Sequence, residues 1–168
     1  NRGSDDGLKL GNPIANDSGI LGQVVRIYDH SAEVSLLEDR DFAVPVQVAR
    51  NGLRAAVFGA GRGNPLELRY LPVASDLEVG DVLITSGIDG IYPPGFAVAV
   101  ISRIERNADK NSSNVFCVPV AAVNRYRQAL ALLYDPQWNA KASTATSKPD
   151  APQTNTPGRR QTRARGMQ

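Results

Sequence analysis

One cysteine, one histidine, one tryptophan and one methionine in 168 residues leave little of the chemistry that side chains usually supply. The lone Cys117 can form no intramolecular disulfide, so cysteine usage says nothing about the redox compartment. It sits in Val115-Phe116-Cys117-Val118-Pro119-Val120 and reads as a small buried hydrophobe. A histidine-dependent mechanism would have to pass through His30. One His and one Cys, most of the chain apart, cannot make a zinc site of usual composition. Glu38-Asp39-Arg40-Asp41 lacks the spacing and the glycine of a calcium loop. No apolar run approaches the ~20 residues of a membrane helix, and no signal-peptide pattern is present. The chain begins at Asn1, and any anchoring or targeting segment is expected upstream of it. No catalytic, cofactor-binding or metal-binding residue is expected.

What is present divides by charge. The formal net charge is +2, but residues 1–138 carry 13 Lys/Arg against 16 Asp/Glu, whereas residues 139–168 carry 6 against Asp150 alone. After Pro136 the chain turns to Ala, Ser, Thr, Pro, Gln and Arg, too poor in apolar side chains to offset the entropy of ordering. Residues 136–168 are therefore expected to form a disordered basic tail. Its cluster Arg159-Arg160-Gln161-Thr162-Arg163-Ala164-Arg165 offers charge for nucleic acid, anionic lipid or an acidic partner, yet no aromatic residue is interleaved for stacking on bases. A nucleic-acid-binding β-barrel acting through this tail is an alternative reading.

The body writes one motif twice. Leu8-Lys9-Leu10-Gly11-Asn12-Pro13-Ile14 is echoed by Leu77-Glu78-Val79-Gly80-Asp81-Val82-Leu83, and each copy runs into a Val/Ile-rich strand ending in Arg-Ile, at Ile27 and Ile104. The second copy is about eight residues longer, mostly in Gly87–Gly95 (GIDGIYPPG) and the strand it feeds. Strands are expected at 20–28, 32–37, 42–49, 53–58, 66–71, 81–86, 96–106 and 115–123. Residues 107–114 read as a flexible hairpin loop. Residues 124–133 show helical propensity or a closing strand. In 42–49, Phe42, Val44, Val46 and Val48 share a face, and Pro45 predicts an edge strand or a neighbouring bulge. The fold expected is all-β, with two small packed barrels as tandem related modules at 1–74 and 75–135. The N-terminal strands of the first are candidates to pair with the second, and each module is small enough to need the other.

Three enzymatic readings find little support in the residues. Gly59-Ala60-Gly61-Arg62-Gly63-Asn64-Pro65 leads into a strand, whereas a phosphate-cradling loop needs a helix after its glycines, so a hairpin turn is expected. Asn16-Asp17-Ser18-Gly19 resembles the nucleophile segment of barrel-pair serine proteases, but Ser18 precedes His30, the reverse of that family's order. A barrel-pair serine hydrolase is thus a second alternative. A Ser-Lys dyad fares no better, because Lys9 and Lys110 both lie in turn-like sequence.

The stretch 77–104, LEVGDVLITSGIDGIYPPGFAVAVISRI, resembles the signature of the MreC family of rod shape-determining proteins at Val79, Gly80, Asp81, Thr85, Ser86, Gly87, Asp89, Gly90, Pro93 and Gly95. Residues 18–25 (SGILGQVV) and 66–72 (LELRYLP) agree with it, and the resemblance spans about 3–134. Ala99 stands where the family pattern has glycine. The resemblance implies a periplasmic β-barrel region of a bitopic inner-membrane protein, its single-pass anchor and coiled coil not in this chain. It also implies a non-enzymatic scaffold of the cell-elongation machinery. Such a scaffold binds and activates the elongation-specific class B penicillin-binding protein, couples peptidoglycan synthesis to RodA, MreD and, indirectly, MreB, and self-associates as a homodimer or higher. No cofactor and no nucleic acid are implied. The motif residues are expected to build turns, while Ile88, Ile91, Tyr92 and Phe96 are the candidate partner contacts, because apolar side chains among turn residues are hard to bury completely. An exposed edge at 42–49 offers a route to self-association, weakened by Pro45.

Overall fold

A computed structural model describes residues 2–72, 75–107, 112–121 and 128–134. The expected disordered tail and the middle of the expected 107–114 loop lie outside the described residues. Among the described residues, ten strands follow a short 3-10 turn at Ser4–Asp6: β1 (Pro13–Ala15), β2 (Ile20–Ile27), β3 (Ala32–Leu36), β4 (Ala43–Val48), β5 (Arg54–Phe58), β6 (Leu66–Arg69), β7 (Val82–Thr85), β8 (Ala97–Asn107), β9 (Ser112–Pro119) and β10 (Leu130–Ala131). Six of them close into an antiparallel barrel in the order β4-β5-β6-β9-β8-β7, and the others form an open sheet, β10-β1-β2-β3. The fold is all-β, as its alternating apolar pattern predicts. Of the two readings of 124–133, the described part is the closing strand, with Ala131 opposite Ile14 and Leu130 opposite Ala15.

The barrel core follows from period-2 alternation. Phe42, Val44, Val46 and Val48 all point inward and are buried, facing Val57, Leu66, Leu68, Leu83, Ile101, Val115 and Cys117. Burying each such valine contributes roughly 1.5–2 kcal/mol. Ala15, Ile20 and Leu37 of the open sheet belong to the same continuous cluster. The two parts share one interior.

The tandem repeat is real, but the modules are partitioned differently from the expectation. In the first meander, Gly11 N–H donates to Val24 O (2.9 Å) and Val24 N–H to Asn12 O (2.9 Å). In the second, Gly80 N–H donates to Ile101 O (2.8 Å) and Ile101 N–H to Asp81 O (3.0 Å). Bulges fall at matching places, between Ile14 and Ala15 and between Leu83 and Ile84. A second pair lies between Val24 and Arg26 and between Ile101 and Arg103. Thus β1-β2-β3 and β7-β8-β9 are the same unit. They meet different fates: β4, β5 and β6 bridge the two free edges of the second meander and close it, while the first stays open and gains only β10. A boundary at 74/75 therefore runs through the barrel, which draws strands from both sides of it. A meander with both edges free needs added strands to close, and only one set is available.

The edge-strand alternative for Pro45 is also corrected. β4 is no edge strand, for it pairs with β5 on one side and β7 on the other. Pro45 is tolerated because it faces the place where the β7 ladder stops. The last pair there is Val46 with Thr85, and the Pro45 carbonyl accepts the Ser86 N–H at 3.1 Å. The missing donor breaks no ladder bond. With both sides occupied, β4 offers no edge through which two copies could pair.

Candidate functional site: the loop between β7 and β8

Four residues separate Ala15 from its partner Ile20 in the first meander, and twelve separate Ile84 from Ala97 in the second. All eight extra residues thus lie in the β7–β8 loop. They are tied down by the residues of the motif. Thr85, fully buried, donates its hydroxyl proton to the Pro93 carbonyl and accepts the Phe96 N–H at 3.0 Å. Its backbone N–H donates to Phe96 O (2.8 Å), and its own carbonyl accepts Gly95 N–H (3.0 Å). The Asp89 carboxylate accepts the N–H groups of Ile91 (3.0 Å) and Tyr92 (3.2 Å), a side-chain-closed turn. Gly87, at φ +72°, lies against the Pro94 ring, where a Cβ would stand 3.0 Å from it. These contacts make a rigid loop.

The turn before β7 is fixed in the same manner. Asp81, 7 % exposed, accepts the Glu78 N–H at 2.9 Å, as Asn12 accepts the Lys9 N–H at 2.7 Å in the first copy. Asp81 alone meets a guanidinium. Arg50 binds its two oxygens at 2.9 and 3.1 Å and reaches Asp76 at 2.8 Å. The Arg50 hydrogen bond, more than any other cause, holds the Asp81 carboxyl below the usual range, and the same guanidinium lowers Asp76. Both carboxylates raise the Arg50 pKa. Arg50, in the turn after β4, carried no sequence signal as a partner, because its acidic neighbours are 26 and 31 residues away in the chain.

The four candidate contacts separate into two pairs. Ile88 is 60 % and Ile91 40 % exposed. Tyr92 is 1 % exposed, part of the core, with its hydroxyl buried and without a hydrogen-bond partner among the described residues. Burial raises its phenol pKa. Tyr92 therefore anchors the loop from beneath, and Phe96, partly exposed, packs against the same core. Sequence reasoning also missed an exterior row in which Val82 faces Val100 and Val100 faces Val118, with Val82 and Val118 exposed. The matching row of the first meander is Pro13, Gln23 and Ser35.

The residues of the hydrolase reading are not assembled. Ser18 Oγ contacts the adjacent Asp17 at 3.4 Å, while exposed His30 lies 3.4 Å from Asp5. Strand β2, eight residues long, holds the two at opposite ends, roughly 26 Å apart at strand rise. Among the described residues no group of His, Cys, Asp and Glu is placed to hold a metal ion. No described helix is long and apolar enough to cross a membrane.

Fold and motif together define a class, a tandem-meander β-barrel module whose most distinctive residues are committed to building two turns and one anchored loop. The family model described as "Rod shape-determining protein MreC, barrel core" matches residues 1–132. The cell shape-determining protein MreC of Escherichia coli is 37% identical over 131 residues, 78% of this chain and 36% of that protein. The chain spans little more than a third of that relative's length. The crystal structure of MreC from Pseudomonas aeruginosa is 39% identical with a TM-score of 0.74, covering 78% of this chain and 84% of that one. A complex between penicillin-binding protein (PBP2) and MreC from Helicobacter pylori shares the fold at a TM-score of 0.59 and 18% identity, over 70% of this chain and 74% of that one. The chain belongs to the MreC family of cell shape-determining proteins.

Proposed function

We propose that this chain is the periplasmic barrel region of a membrane-anchored, non-enzymatic scaffold for cell-wall elongation. Its partner is the elongation-specific class B penicillin-binding protein, which it binds and activates. RodA, MreD and, indirectly, MreB complete the assembly, and the scaffold self-associates. The observation that carries this reading is the difference between two otherwise matched meanders: eight added residues, anchored by Thr85, Asp89 and buried Tyr92, that present Ile88 and Ile91 to solvent. A rigid loop that offers apolar side chains loses little entropy on association, which favours recognition over turnover. The presence of a penicillin-binding protein in the complex with the Helicobacter pylori MreC supports this choice of partner class.

The test is the affinity of this chain for the periplasmic part of a class B penicillin-binding protein. Replacing Ile88 and Ile91 together with Asp is expected to weaken binding about tenfold or more, while the thermal midpoint stays near wild type because both side chains are exposed. Tyr92→Phe is expected to leave affinity unchanged. Undiminished binding by the doubly substituted protein would overturn the assignment of this loop. Absence of binding by the wild type would overturn the partner.

A further inference from the structure

The open edge of the β10-β1-β2-β3 sheet has an occupied counterpart in the barrel. From the matched bulges, Ala32, Glu33 and Val34 of β3 correspond to Val115, Phe116 and Cys117 of β9. Along β9 lies β6, with Leu66 opposite Cys117, Glu67 opposite Phe116 and Leu68 opposite Val115. Along β3 no described strand takes that place. Leu37 N–H donates inward to Leu21 O (3.0 Å), and Ser31 O accepts inward from Tyr28 N–H (2.8 Å). Alternation then turns the peptide groups of Ala32, Val34 and Leu36 outward. The Leu36 N–H is taken by the Asp39 carboxylate at 2.8 Å, and Gly61 N–H covers Glu38 O at 2.8 Å. The open stretch is Ala32–Val34. Burial records the vacancy: Cys117 and Val115 are buried, whereas Val34 and Ala32 are only half-buried.

We propose that the Ala32–Val34 edge receives an extended segment of a partner protein, antiparallel to β3, with two apolar side chains flanking a basic one. The apolar positions follow from β6, whose Leu66 and Leu68 cover the matching residues of β9. The basic position lies opposite Glu33, a half-exposed carboxylate that meets Arg26 at 3.3 Å. The rest of this rim is acidic, with Asp29, Glu38, Asp39 and Asp41 against Arg40 and His30. Such a rim opposes a second copy of itself. The chain's own cluster at 159–165 has the charge but no large apolar side chain to cover Val34. This surface is separate from the β7–β8 loop and does not depend on the partner assigned to that loop.

The probe is a synthetic peptide copying residues 65–70 of this chain with the Glu67→Lys change, titrated into the full chain and followed by backbone amide NMR. The Ala32 and Val34 amides are expected to shift and to exchange roughly tenfold more slowly or better. Glu33→Lys is expected to weaken binding about fivefold or more. Val34→Pro is expected to abolish it, because the proline removes an outward N–H and spares the β2 ladder. Should Val34→Pro unfold the chain, Glu33→Lys carries the test, since that side chain is solvent-facing. Unchanged exchange at Ala32 and Val34, shifts confined to Ile88 and Ile91, or pairing of β3 with a second copy would each overturn the proposal.

Discussion

The guanidinium of Arg50 holds both carboxylate oxygens of Asp81, at 2.9 and 3.1 Å, across 31 residues of sequence. This grip ties the turn after β4 to the turn before β7, the two strands whose pairing closes the barrel. Asn12, the counterpart of Asp81 in the open meander, keeps the backbone bond but carries no charge. The charged form of the motif coincides with closure.

Replacing Asp81 by Asn is expected to destabilise the chain by about 1.5–3 kcal/mol at neutral pH, the range for a hydrogen bond to a charged group. Because the folded carboxyl is held below its unfolded value, its stabilisation is complete above about pH 4 and lost as pH falls through the folded value. Urea denaturation at neutral and acidic pH checks this. The wild type loses stability on acidification, and Asp81→Asn loses less. Equal losses would assign the acid sensitivity elsewhere.

Thr85→Val keeps the shape of a buried side chain but strands the Pro93 carbonyl and the Phe96 N–H. A cost of about 1–3 kcal/mol is expected, and Thr85→Ser should recover most of it. Hydrogen exchange at the Phe96 amide is the local readout, and it should quicken in the valine variant even where the fold persists.

Gly19 lies directly against the barrel, because a Cβ there would collide with the Ala97 carbonyl at the start of β8. Gly19→Ala is therefore expected to cost about 2 kcal/mol or more through forced displacement of packed backbone. Gly52→Ala, in open space at φ +72°, should cost only about 1 kcal/mol. A similar thermal midpoint for the two variants would contradict the shared interior.

Cys117, on β9 opposite Leu66 of β6, is fully buried, and burial pushes its thiol up to about 12. Thiolate is then scarce at neutral pH, and alkylation of the native chain should proceed only through opening. Labelling with iodoacetamide across a urea series should follow the unfolding curve. Fast labelling without denaturant would mean that β6 and β9 separate readily.

Most strands are legible in the chain because alternation of apolar residues is a local property. Phe42, Val44, Val46 and Val48 announce one buried face whatever lies opposite. The turn before β7 is legible too, since Gly80 and Asp81 act within four residues of each other. Sequence misleads where the deciding contact lies far along the chain. Pro45 signals an edge by its missing donor, yet only the place where β7 stops shows that no bond is lost. Tyr92 among turn formers suggests exposure, and only the fold of the loop over the barrel buries it.

An all-β chain, its repeated meander and the eight-residue difference between the copies can be read from the residues alone, because alternation, glycine turns and spacing are written within a few residues of one another. Which meander closes into a barrel, the clasp of Arg50 on Asp81, and the exposure of Ile88 and Ile91 beside a buried Tyr92 emerge from contacts made across the fold. Those outcomes depend on which free strand edges meet, and edge pairing joins residues distant in sequence through backbone hydrogen bonds common to every residue type except proline.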